Sequence, residues 1–285
     1  MTPAPHLCQV ALSVANVAAS LRFYTTVFDY KQAGGGRLIG GQMLERIQGL
    51  PDPHCICWWL INDQPFFQLE LFQYASPGPA PRPAGWTPDA IGYGRLGFTV
   101  PDLDLALAAA AHVGAPLLSE PKLSEGRRSA TVADPDGTWV DLVEDRAATG
   151  CRLVQVGAST PSAANSRTFV TDVLGYRSEA PAGALSFKAE GRDTSLAFTE
   201  QAGARRSGWR INDVGILNIA LGYREWPEFK ATYDRVVAAG HRAETVPMGP
   251  SGPYDVSYVM DSDGFSVELL YCPESSDIAI GFAVA

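Results

Sequence analysis

The sequence predicts an α+β fold of four β-α-β-β-β units, forming curved mixed sheets around clefts with the helices outside. Three observations lead there. First, Gln9-Val10-Ala11-Leu12-Ser13-Val14, a helical run holding Phe23-Tyr24 and a close at Phe28-Asp29-Tyr30 return as a second set. That set is Gln155-Val156-Gly157-Ala158-Ser159-Thr160, Phe169-Val170 and Leu174-Gly175-Tyr176. Gln9 and Gln155, like Phe23 and Phe169, stand 146 residues apart. Second, Asp134-Pro135-Asp136-Gly137 leads into Val140-Asp141-Leu142, and Asp261-Ser262-Asp263-Gly264 leads into Val267-Glu268-Leu269. Third, apolar positions alternate with period two in some segments and fall at helical spacing in others. A repeat this long is a duplicated domain, predicted over 1–146 and 151–274 with the join at Arg146 to Gly150.

Each element has a local reason. Val10, Leu12 and Val14 alternate with Gln9, Ala11 and Ser13, the pattern of a half-buried strand. Asn16 can cap the next helix, in which Val17, Leu21, Tyr24 and Phe28 share a face. Gly34-Gly35-Gly36 breaks the chain, and Met43 to Ile47 reads as a short helix. Cys57 to Ile61 and Phe66 to Tyr74 read as strands joined by the hairpin signal Asn62-Asp63-Gln64-Pro65. Ser76 to Pro88, rich in proline, reads as a loop. Gly94 to Val100 opens the second unit, Asp102 caps the helix Leu103 to His112, and Gly114 stops it. Strands follow near Ser129 to Val132 and Thr138 to Val143. In the second half Ser162 caps a helix, Pro227 suits a first turn, and Gly240 ends the last helix.

The chain has 285 residues, 46% hydrophobic and 19% charged, which suits a globular protein with two cores. No apolar run approaches the roughly 18 residues of a membrane span, and Met1 to His6 lacks the features of a signal peptide. A net charge of −9 opposes a nucleic-acid partner. The expectation is a cytoplasmic protein, monomer or homodimer, with a small-molecule substrate or ligand. Five cysteines at no zinc-like spacing read as small buried residues; Cys55 and Cys57 share one strand face. The apolar tail Ile278 to Ala285 is expected to cover an edge strand or form a dimer contact.

Alternation also sorts the polar residues. Gln9, Glu70, Arg95, Asp141, Gln155, Asn218 and Glu268 take the face opposite the helices, as does Ala197, so both copies aim polar groups where a sealed core would be apolar. Phe23-Tyr24, Asp29-Tyr30, Phe169, Leu174-Gly175-Tyr176, the two Asp-x-Asp-Gly turns, Tyr93 to Phe98 and Asn218 to Leu221 resemble the vicinal oxygen chelate superfamily. That superfamily includes glyoxalase I, bleomycin- and fosfomycin-resistance proteins, an epimerase and extradiol dioxygenases. The resemblance implies metal ligands on the first and fourth strands of paired units. If each half closes on itself, the sets are Gln9-Glu70-Arg95-Asp141 and Gln155-Ala197-Asn218-Glu268. If the halves swap units, they become Gln9-Glu70-Asn218-Glu268 and Gln155-Ala197-Arg95-Asp141. The swapped arrangement is preferred, because it gathers two carboxylates and two amides, an oxygen set suited to Mg²⁺, Mn²⁺ or Ca²⁺ more than zinc. A hydrogen-bonded network without metal is the other reading.

With histidine at none of these positions, an extradiol dioxygenase, which needs two, is disfavoured. The first functional expectation is a glyoxalase-like, metal-assisted lyase or isomerase acting on vicinal oxygens, with Glu70 or Glu268 catalytic. Arg95, Asp141, Gln155 and Trp58 are its expected substrate contacts. The alternative is a non-catalytic binding protein of the bleomycin-resistance type, its wall drawn from Trp58, Trp59, Phe66, Phe72, Trp86 and Trp139. A metal-free enzyme using Arg95 with Asp141 or Glu70 is a third reading. No basic cluster suits the two carboxylates of glutathione.

Overall fold

The structure, a computed structural model, describes residues 5–124, 126–178, 185–188, 194–204 and 209–284. The first four residues and Ala285, the ends of the segments Met1 to His6 and Ile278 to Ala285, lie outside the described residues.

The first unit runs β1 (His6–Ser13), α1 (Val17–Phe28), β2 (Lys31–Gln32), β3 (Arg37–Gly40), α2 (Gln42–Gln48), β4 (His54–Ile61) and β5 (Gln68–Ser76). The second runs β6 (Gly92–Val100), α3 (Leu103–His112), β7 (Leu117–Ser124), β8 (Arg127–Ala133) and β9 (Trp139–Glu144). The third has β10 (Arg152–Thr160), α4 (Ala163–Thr168) continued by a π-helical turn over Phe169–Val173, β11 (Arg177–Ser178), β12 (Leu185–Lys188) and β13 (Ser195–Glu200). The fourth has β14 (Gly215–Tyr223), α5 (Trp226–Ala238), β15 (Arg242–Ala243), β16 (Asp255–Met260) and β17 (Ser266–Tyr271).

The expected caps form. Asn16 accepts the Ala19 N–H at 3.1 Å, Asp102 the Leu105 N–H at 3.0 Å and Ser162 the Asn165 N–H at 3.3 Å. The two Asp-x-Asp-Gly turns are structural. Asp134 Oδ1 accepts the N–H groups of Asp136 and Thr138, and Asp261 Oδ1 those of Asp263 and Phe265.

Three segments differ from the sequence reading. β7 was not foreseen, because Pro121 argues against a ladder; it sits at the sheet edge, where proline is tolerated. Phe66 lies outside its expected strand at φ 49°, while β5 begins at Gln68. β4 opens at His54, three residues ahead of the expected start at Cys57.

Strands pair across the halves. One sheet of nine strands runs β15-β16-β17-β14-β1-β5-β4-β2, with β3 also on β4; the eight-stranded sheet runs β11-β12-β13-β10-β6-β9-β8-β7. The first unit therefore joins the fourth and the second joins the third, through antiparallel pairs β1·β14 and β10·β6. The helices lie on the faces away from the clefts, and those faces share one core. Val10, Leu12, Phe98, Val156, Ile219 and Leu269 belong to it, and Phe28 of α1 stacks on Phe98 of β6 at 4.0 Å.

Candidate active site

The site grows from strand register on the inner face of the nine-stranded sheet. Ala11 of β1 is paired with Glu70 of β5 and with Asn218 of β14, and Ala220 is paired with Glu268 of β17. Gln9 stands beside Gln68 in the parallel pair. Inward positions thus combine large polar side chains with the small, buried Ala11 and Ala220, and the polar ones border a cavity. That cavity measures about 400 Å³, and Gln9, Gln68, Glu70, Tyr258 and Glu268 line it. Leu38, Ile39, Leu44, Ile47, Phe72 and Ile280 supply apolar wall.

Glu70 is held by three donors. Gln9 Nε2 donates at 2.6 Å, Trp59 Nε1 at 2.7 Å and Cys57 Sγ at 3.1 Å. Gln68 Nε2 in turn donates to Gln9 Oε1 at 2.8 Å, which fixes the orientation of the Gln9 amide. Burial raises the Glu70 pKa above the usual carboxylate range, and the Cys57 and Trp59 donors pull it back. Glu268 is raised by burial and further by the charge of Glu70, with Tyr258 and Asn218 beside it opposing the shift. Two like-charged groups facing one low-dielectric hollow cannot both ionise cheaply. Glu70, with its three donors, is the better anion, and Glu268 is the member that keeps its proton. Burial also raises the Cys57 thiol, so it stays a protonated donor.

Some hydrogen-bonding capacity is unused. Gln68 Oε1 and both polar atoms of Asn218 are buried without a hydrogen bond of ordinary geometry. Neither Glu70 nor Glu268 forms a salt bridge among the described residues. Two buried carboxyl groups and orphaned amide oxygens, with no cation ion-paired to them among the described residues, make a hard-oxygen donor set. No three His, Cys, Asp or Glu side chains converge among the described residues, so a metal here would take half its protein ligands from amides. The Gln9 amide would have to rotate to offer oxygen, and Gln68, whose Nε2 donates to Gln9 Oε1, would have to rotate with it so that its Oε1 meets the displaced Nε2.

The remaining sequence candidates divide between the sheets. Arg95, Asp141, Gln155 and Ala197 occupy the matching face of the eight-stranded sheet, where Arg95, Gln155 and Ala197 line a smaller hollow of about 160 Å³. There Arg95 Nη1 binds both oxygens of Asp141 at 3.0 and 2.9 Å, and Thr131 donates to Asp141 at 2.6 Å. The guanidinium fills the space a cation would use, 4.5 Å from the Trp139 ring. Trp58 lies on the wrong face for the cleft. Its Cα partner is Leu71 and it packs on the helix-side core, whereas Trp59, opposite Glu70, faces the cavity. Trp86 stacks with Arg82 at another hollow. Sequence reasoning passed over Gln68 and Tyr258, named Trp59 only as a wall residue and read Cys57 as a small buried residue; the signal was present for Gln68, two residues before Glu70 and therefore on its face.

The apolar tail, expected to cover an edge strand or form a dimer contact, packs beside the cleft over its described residues. Arg224 donates to Asp277 at 2.5 and 3.1 Å and stacks on Phe66 at 3.6 Å, while Phe66 meets Phe282 at 4.8 Å. Ala279 and Ile280 line the cavity, and Gly281 lies so close to Trp59 that a Cβ would overlap the indole. The segment therefore narrows the mouth of the cleft.

The sequence profile described as Glyoxalase/Bleomycin resistance protein/Dioxygenase superfamily matches residues 6–142. Whole-chain likeness extends the fold to the rest. Glyoxalase I from Zea mays is 16% identical with a TM-score of 0.69, over 97% of this chain and 96% of that one. A Bacillus subtilis protein provisionally assigned as a dioxygenase is 11% identical with a TM-score of 0.72, over 100% of this chain and 92% of that one. No curated protein matches the sequence. Among the described residues no helix is long and apolar enough to cross a membrane.

Proposed function

We propose that this chain is a glyoxalase-like isomerase or lyase that moves a proton on a small molecule bearing oxygens on adjacent carbons. The observation that carries this reading is the buried pair Glu70 and Glu268, which line one cavity without a cationic partner. Glu70, the ionised member, is the base, and Glu268, held protonated, is the acid; such a split is what proton transfer at one carbon and delivery at its neighbour require. Trp59 and Gln9 orient the Glu70 carboxylate, and the unpaired Gln68 Oε1 accepts a substrate hydroxyl.

Gln9, Glu70, Asn218 and Glu268 are the residues that would hold a divalent cation, Mg²⁺, Mn²⁺ or Ca²⁺ in preference to zinc. When bound, such an ion would replace the Glu268 proton and, as a Lewis acid, polarise substrate oxygens in the acid's place. The apolar wall also supports the second reading, a protein that binds and sequesters a small molecule without chemistry.

Solvent-deuterium exchange into a panel of α-hydroxy and α-oxo compounds, with Mn²⁺ or with chelator, separates the two. Exchange lost in both Glu70→Gln and Glu268→Gln is the expected result. Saturable binding with no exchange under either condition overturns catalysis and leaves sequestration.

A further inference from the structure

The cleft has a polar floor, apolar walls and one positive charge at its rim. Arg37 of β3 lines the cavity with its guanidinium 4.6 Å from the centre of the Trp59 ring. It has no acidic partner among the described residues, whereas Arg95, Arg128, Arg210 and Arg224 each hold a carboxylate. In a chain with 31 acidic residues against 22 Lys and Arg, an unpaired arginine on a cavity wall is a conspicuous gap. Trp59 ties this charge to the floor, since the ring that carries Arg37 also donates its Nε1–H to Glu70 at 2.7 Å. The indole spans the distance between the cation and the carboxylates.

We propose that Arg37 is the anion-holding residue of the cleft, and that the ligand is a small amphipathic acid. Its carboxylate meets Arg37, its apolar body lies along Leu38, Ile39, Leu44 and Ile280, and its oxygen-bearing end reaches Gln68 and the two glutamates. This rests on the reading of Glu70 and Glu268 as the reacting floor and adds the class of substrate. The charges fix the direction of binding. Two carboxyl groups line the floor and the guanidinium lies at the rim, so an anionic head docks at the rim, where the stacked guanidinium presents its N–H edge to a planar carboxylate.

The test uses 3-phenylpropanoate and its uncharged amide as probes of the intact protein, with chelator present so that no metal contributes. Binding is read from the Trp59 indole N–H signal by NMR, assigned with Trp59→Phe. The acid is expected to bind roughly tenfold tighter than the amide. Arg37→Gln should erase that preference without weakening the amide, and Arg37→Lys should restore part of it. Equal affinities in the wild type, or a preference that survives Arg37→Gln, overturns the proposal. Glu70→Gln separates the two readings: it stops deuterium exchange if the catalytic assignment holds, while the acid-over-amide preference persists because Arg37 is intact.

Discussion

The Glu70–Glu268 pair makes the site expensive to fold at neutral pH. Both groups have folded-state pKa values raised above the unfolded range, so the folded protein retains protons that the unfolded chain has released. Their favourable contribution is fully present below the ordinary carboxylate pKa and is lost as pH rises through the raised values. Urea unfolding should therefore show stability falling between about pH 5 and about pH 8. Glu268→Gln removes the repulsion and most of the desolvation cost, so it should flatten that decline and gain about 1–2 kcal/mol at the upper end. Part of the slope should remain, because Asp136 and Asp261 are shifted in the same direction by burial. A variant less stable than wild type at pH 8 contradicts the shared-charge description. At this scale alternation put Gln9, Glu70 and Glu268 on the face that lines the cavity, since a period of two leaves one choice per strand. It failed at Trp58 and Trp59 because adjacent residues of one type carry no phase; only the pairing with Glu70 decides between them.

At the scale of elements, helix starts were legible because capping is local. Asn16, Asp102 and Ser162 each need only the next three residues, and Asn16→Ala should cost about 1 kcal/mol in thermal or urea unfolding. The segment after β17 was not legible, since its contacts are with residues far away in the chain: Arg224, Phe66 and Trp59. Gly281 has φ 80° and lies against the Trp59 ring. Gly281→Ala should therefore combine backbone strain with displacement of the indole from Glu70, destabilising the fold by about 1–3 kcal/mol and moving the Trp59 N–H resonance upfield. An unchanged resonance would show that this segment does not hold the indole in place. The edge strand β7 was missed for a different reason: Pro121 reads as a breaker unless the strand's outer position is known.

The whole molecule is a duplication in sequence whose sheets do not follow the duplication. Each sheet takes one unit from either half, and the helix-side core runs through all four units. The repeat of 146 residues announces two copies, and period-two faces announce a cleft, yet neither specifies which units pair. That choice belongs to long-range contacts such as β1 with β14 and Phe28 with Phe98. A chain so interleaved should unfold in one calorimetric transition, with equal calorimetric and van't Hoff enthalpies; two transitions assignable to the sequence halves would contradict a common core.

Calorimetric titration of the metal-stripped protein with Mn²⁺ near neutral pH, in buffers of different ionisation enthalpy, tests the functional account most directly. The account predicts one ion bound per chain, a proton released from Glu268 as it binds, and loss of both in Glu268→Gln. Absence of binding, or binding that Glu268→Gln leaves unchanged, would contradict it.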